Sequence, residues 1–234
     1  MSDSLQVESE CRFARTDELT IALAARIWDL MEEAIERLGL ARIVLSGGST
    51  PVQLYNVLRE LPLDWSSLRF CLSDERWVDT GHEASNEAML RRELFGAREV
   101  SLISMARTAD TPEKDAQRVE QDLTAVDGPW DLVLLGMGTD GHTASLFPEA
   151  KGLAQALDGE RRCVAVEPAD AAQRRLTLTR REILNSRRIV LLLSGDAKWR
   201  VYREALKGSD VSAMPVRAIL QQKQVPVDVY WSAN

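Results

Sequence analysis

The strongest constraint on this chain is a series of short, continuous apolar runs separated by stretches of helical periodicity. The runs are ARIVL before Ser46, Leu68 to Leu72, Asp131 to Leu135, Cys163 to Val166, Arg175 to Thr179, Arg188 to Leu193 and Val227 to Trp231. Runs of this length without polar alternation suit strands covered on both faces. Between them, helices are expected near 51–60, 86–95, 112–125, 196–206 and 214–221. A longer helix is expected over 17–39, where Leu19, Leu23, Ile27, Leu30, Ala34 and Leu38 recur every three or four residues and Gly39 supplies the stop. Strands alternating with helices predict an α/β fold with a mainly parallel, Rossmann-like sheet flanked by helices. No repeat or Pro/Gly/Ser-rich linker divides the sequence, so residues 1–234 are expected to form a single domain.

Composition narrows the function classes. The 234 residues are 45% hydrophobic and 28% charged, which is ordinary for a globular protein with a core of its own. A net charge of -7 argues against a nucleic-acid partner, which would call for a basic face. No apolar run approaches the ~18 residues of a membrane span, and the start lacks a basic segment followed by an apolar one. A cytoplasmic location with no membrane partner is therefore expected. Cys11, Cys71 and Cys163 form an odd set without metal-type spacing and are expected to be free thiols.

In an open parallel sheet, ligands gather where strands end and the next turns begin. The first such turn is Ser46-Gly47-Gly48-Ser49-Thr50-Pro51. Two glycines allow close backbone approach, while Pro51 suits the first helical position, with Thr50 as N-cap and Gln53 completing a capping box. Such a turn is either an anion site or merely a well-capped strand-to-helix connection, and the residues alone leave both open. The segment Ser73-Asp74-Glu75-Arg76-Trp77 ends another apolar run in charge; it fits a solvated loop, or a place where carboxylates and an Arg meet hydroxyls and a phosphate.

The richest turn follows Asp131 to Leu135 and reads Gly136-Met-Gly138-Thr-Asp140-Gly141-His142-Thr143-Ala-Ser145-Leu-Phe-Pro148. His142 is one of two histidines and stands where a water-activating base would reach a ligand, with Asp140 placed to orient it. GxGxDG departs from the dinucleotide fingerprint GxGxxG. The other histidine, His82, sits in the polar stretch DTGHEASN and reads as an exposed loop side chain. Arg174, Arg175 and Lys198 fit surface charge equally well, or the completion of an anion pocket.

In order, LSGGSTP, SDERWV, SNEAMLRREL, DLVLLGMGTDGHTASLFP, RRLTLT and LLLSGDAKW make the chain resemble the 6-phosphogluconolactonases of the glucosamine-6-phosphate isomerase/6-phosphogluconolactonase family, over about residues 17–231. The wider superfamily with this fold includes glucosamine-6-phosphate deaminase and ribose-5-phosphate isomerase. Deaminases carry an LDEY segment where this chain has SDERW, and a Glu-containing FNEP-like segment where it has SLFP. The resemblance implies opening of the lactone ring of 6-phosphogluconolactone, a step of the oxidative pentose phosphate pathway, with no metal or organic cofactor. It implies His142 and Asp140 as the catalytic pair. Gly47, Gly48, Ser49, Thr50, Arg76 and Lys198 match phosphate-binding positions, Asp74 and Asn86 match positions lining the site, and Arg175 matches an arginine before the TLT strand. The alternatives are a sugar-phosphate isomerase or deaminase on the same scaffold, or a non-catalytic sugar-phosphate sensor. The expected partner is a small sugar-phosphate lactone, bound by a monomer or weak homo-oligomer.

Overall fold

The computed structural model describes residues 7–169 and 173–233. Along the chain run β1 (Val7–Phe13), α1 (Thr16–Leu38), β2 (Ala41–Leu45), α2 (Val52–Glu60), β3 (Leu68–Leu72), β4 (Asp74–Arg76) and α3 (Asn86–Leu90), which continues as one π-helical turn over Arg91–Phe95. These are followed by β5 (Ser101–Ile103), α4 (Pro112–Thr124), β6 (Leu132–Leu135), α5 (Leu153–Asp158), β7 (Cys163–Val166), β8 (Arg175–Leu178) and α6 (Arg180–Leu184). The last elements are β9 (Ile189–Ser194), α7 (Asp196–Ala205), α8 (Arg217–Leu220) and β10 (Val227–Ser232). Among the described residues no helix is long and apolar enough to cross a membrane.

Seven strands form one sheet in the order β1-β10-β9-β6-β2-β3-β5. Every neighbouring pair in it is parallel. From β2 the chain steps outward through β3 to β5; it then returns to the opposite side of β2 and steps outward through β6, β9 and β10. The reversal lies between β2 and β6, so the turns that follow these two strands diverge and leave a crevice. Strands β6 and β9 are buried along nearly their whole length, which is why their sequences show no polar alternation.

Two runs expected as part of the main sheet go elsewhere. Strands β7 and β8 pair antiparallel, and β8 pairs antiparallel with β4, in a separate three-stranded sheet. A buried apolar run carries no information about which sheet covers it, so its pattern matched the parallel strands. Strand β1 carries no such signal for the opposite reason: as an edge strand it alternates half-buried and exposed residues, and VESECRF has no apolar run. The helix expected over 214–221 is only the single turn α8. Cys71 and Cys163 are buried free thiols; Cys11, also free, is half-buried in β1.

One buried carboxylate ties the small sheet to α4. Asp115, fully covered, accepts from Trp77 Nε1 (2.8 Å), Thr108 N (3.1 Å), Thr108 Oγ1 (2.5 Å) and Ala109 N (3.0 Å). Burial raises its pKa, but these bonds outweigh burial and bring the carboxyl from 3.8 down to about 2. A depressed folded pKa adds stability that is complete above the unfolded value and lost as pH falls through the folded one. We expect Asp115→Asn to cost about 1–3 kcal/mol at pH 7. Denaturant titrations should show the mutant losing less stability than wild type between pH 4 and pH 2; parallel pH dependence would refute the assignment.

Candidate active site

The first wall of the crevice is the turn after β2. Gly48 is left-handed at φ +89°, and Gly47 lies so close to Asn86 that an added Cβ would sit 2.0 Å from its Oδ1. Only glycine fits there. The expected N-cap is not formed: α2 begins at Val52, Pro51 occupies the cap position, and no side chain caps the helix. Thr50 instead uses its hydroxyl as acceptor for Lys198 Nζ at 3.2 Å, joining the β2 turn to the first turn of α7. Burial pushes the Lys198 ammonium pKa down, so an anionic neighbour would stabilise it.

The second wall comes from β4, β8 and α3. Glu75 is fully buried and accepts from the backbone N–H groups of Arg76, Asn86 and Glu87 and from Ser85 Oγ. Burial raises its pKa and these bonds partly offset that effect. The result is that α3 is held against β4, and Asn86 Nδ2 donates to Asp74 O. Asp74 is fixed by Ser145 Oγ at 2.6 Å and Ser73 Oγ at 3.0 Å. Arg76 and Arg175 stand opposite each other in the β4–β8 register. Arg76 Nη1 donates to Ala84 O. Arg175 is 8% exposed, and its buried Nε and Nη1 have no hydrogen-bond partner. Burial, then the charge of Arg76, lowers the Arg175 pKa. A buried guanidinium with unpaired donors beside a second one is unfavourable until an anion arrives.

The third wall is the turn after β6. Asp140 Oδ1 meets His142 Nδ1 at 2.6 Å and also accepts from His142 N at 3.1 Å. Burial disfavours the Asp140 carboxylate, but the hydrogen bonds it accepts from His142 prevail and hold its pKa below the ordinary value. With Nδ1 donating to a carboxylate, the neutral imidazole presents an unprotonated Nε2. A Cβ on Gly138 would lie 2.2 Å from His142 Nδ1 and 2.5 Å from Asp140 Oδ1, so the pair forms only because residue 138 is glycine.

The three walls enclose a cavity of about 250 Å³ lined by His142 and by every residue expected to bind: Gly47, Gly48, Ser49, Thr50, Asp74, Arg76, Asn86, Arg175 and Lys198. Asp140 stands behind His142 and does not line it. Met137, Ala144, Phe147 and Leu192 also line the cavity and were not singled out in the sequence. Their apolar side chains carry no chemical signature, and only the folded turn brings Phe147 onto His142. His82 is exposed, as expected, with Nδ1 accepting from Ala84 N. Trp77 lies between Arg107 and Arg174, its side chain against the core rather than in the cavity.

Fold and site together define an open parallel α/β protein with a cation-lined pocket and a carboxylate-oriented histidine at its switch point. The model of the family described as glucosamine-6-phosphate isomerases/6-phosphogluconolactonase matches residues 14–231, and the chain belongs to that family. It is 37% identical to 6-phosphogluconolactonase from Pseudomonas putida over 91% of this chain and 88% of that one. The crystal structure of a 6-phosphogluconolactonase from Shewanella baltica OS155 superposes with a TM-score of 0.94 at 41% identity, covering 98% of this chain and all of that one. The fold extends to a monomeric glucosamine-6-phosphate deaminase, with a TM-score of 0.75 at 22% identity over 94% and 96% of the two chains.

The unpaired guanidinium yields a direct expectation. Inorganic phosphate should raise the melting temperature of the wild-type protein, because a ligand held by the folded state alone stabilises it. Arg175→Met removes an under-compensated buried charge, so its stability without phosphate should be unchanged or higher. Its phosphate-induced shift in melting temperature should shrink by at least half; a full shift in the mutant would show that Arg175 does not face the anion.

Proposed function

We propose that the chain hydrolyses 6-phospho-D-glucono-1,5-lactone to 6-phospho-D-gluconate, acting as a soluble cytoplasmic enzyme on a free sugar phosphate. The carrying observation is the Asp140–His142 pair, which turns Nε2 into a proton acceptor on the wall of a cavity otherwise rich in cations. The phosphate meets the turn Gly47 to Thr50 with Arg76, Arg175 and Lys198. Asp74, held as an acceptor by Ser73 and Ser145, takes hydroxyl donors of the sugar.

In the reaction, His142 Nε2 removes a proton from water as the water oxygen bonds to C1, and the carbonyl electron pair moves to oxygen. Collapse of that adduct breaks the bond between C1 and the ring oxygen. The imidazolium returns its proton to the departing oxygen, giving a hydroxyl at C5 and a carboxylic acid that ionises. Asp140 keeps the imidazole in the required tautomer and stabilises its cation. Phosphate binding far from C1 supplies orientation, so remote contacts lower the barrier to the chemical step.

The isomerase or deaminase reading is less well supported, since no second carboxylate base follows His142 where the sequence runs Ser145-Leu146-Phe147-Pro148. Purified protein should release no ammonia from glucosamine 6-phosphate.

The decisive variants separate chemistry from binding. His142→Asn should lose roughly 10²- to 10⁴-fold in turnover corrected for spontaneous lactone opening. It should still bind 6-phosphogluconate in calorimetry. Lys198→Ala should weaken that binding by about 1.5–3 kcal/mol, the range for a charge-assisted contact. Near-normal turnover by folded His142→Asn protein would eliminate His142 as the base.

A further inference from the structure

Among the described residues, two positions with side chains adopt the left-handed backbone region, Ala144 at φ 48° and Glu149 at φ 59°. Both lie in the short segment that follows His142. For an L residue this conformation is strained, and it persists where the surroundings over-determine it. The surroundings here are specific. Thr143 Oγ1 donates to Gly136 O, Ser145 Oγ to Asp74 and Leu146 N to Thr143 O, while Ser145 N donates to Thr177 Oγ1. What this strained segment delivers is Phe147. Its ring centroid lies 4.1 Å from that of His142, with the two planes tilted by 34°. The ring is seated against a small apolar cluster separate from the main core, which includes Leu146, Ala150, Leu153, Val164 and Val166.

We propose that Phe147 is a positioning residue for His142, its ring face fixing the imidazole and stabilising the imidazolium formed during the reaction. Asp140 holds the imidazole at one atom, Nδ1, and a ring held at one atom can still swing. Contact with a second, anchored ring removes that freedom and sets where Nε2 points. A cation over an aromatic face is also attracted by the ring quadrupole, by about 0.5–2 kcal/mol. That attraction appears only once the imidazole has taken the proton from water, so it lowers the barrier without tightening ground-state binding. The inference rests on His142 being the base.

Phe147→Leu keeps an apolar side chain for the small cluster and removes the ring face; Phe147→Tyr keeps the face. Both are compared with wild type and His142→Asn in background-corrected kinetics, with active protein counted by the stoichiometry of 6-phosphogluconate binding. The leucine variant is expected to lose about 3- to 30-fold in kcat. Its KM and product affinity should stay within about twofold, and the tyrosine variant should recover most of the lost turnover. Unchanged kcat in Phe147→Leu, a loss confined to KM, or equal losses in both variants would overturn the proposal while leaving the base assignment standing. Full turnover in His142→Asn would instead remove the base assignment, and the role of Phe147 with it.

Discussion

Everything in the site depends on the reversal of strand order between β2 and β6. Parallel strands deliver their connections at the same end of the sheet, and at this one place consecutive connections leave in opposite directions. The opening is therefore a property of topology, present before any side chain is considered. The residues at the ends of the two strands exploit it differently. After β2 comes Gly47, whose backbone lies close to Asn86, and after β6 comes a glycine that lets a carboxylate and an imidazole meet.

The small antiparallel sheet supplies what the main sheet lacks. Its β4–β8 pairing sets two arginines side by side at the rim of the crevice, an arrangement that repulsion opposes and that no surrounding carboxylate fully balances. Asp74 and Glu75 offset part of that repulsion, but the cavity lining sets the one carboxylate of Asp74 against Arg76, Arg175 and Lys198. The cavity is thus left with excess positive charge in a protein whose net charge is -7. Local convergence, and not overall charge, governs attraction of an anionic ligand.

Much of this was legible in the sequence. Continuous apolar runs ending in glycine announced parallel strands with turns at one edge, and the polar residues that line the cavity were recognisable from their turns and from family resemblance. The missing parts share a physical cause. Membership of β7 and β8 in a second sheet is a matter of partner, on which local pattern is silent. The hydroxyl of Thr50 was expected to cap α2, but long-range pairing with Lys198 won over local capping. Phe147 looked like an ordinary apolar residue, because the left-handed turn at Ala144 that carries it onto His142 has no glycine to mark it.

The central claim is that one cavity holds the phosphate on its cations while His142 addresses the far end of the same sugar. A crystal structure with 6-phosphogluconate bound tests it most directly. The account predicts the phosphate against Arg175 and its neighbouring cations, the C1 carboxylate on the His142 side of the cavity, and the C5 hydroxyl, the proton-transfer partner, within about 3.2 Å of His142 Nε2 as its donor. A phosphate seated on His142, or a C1 carboxylate directed away from it, would contradict the account.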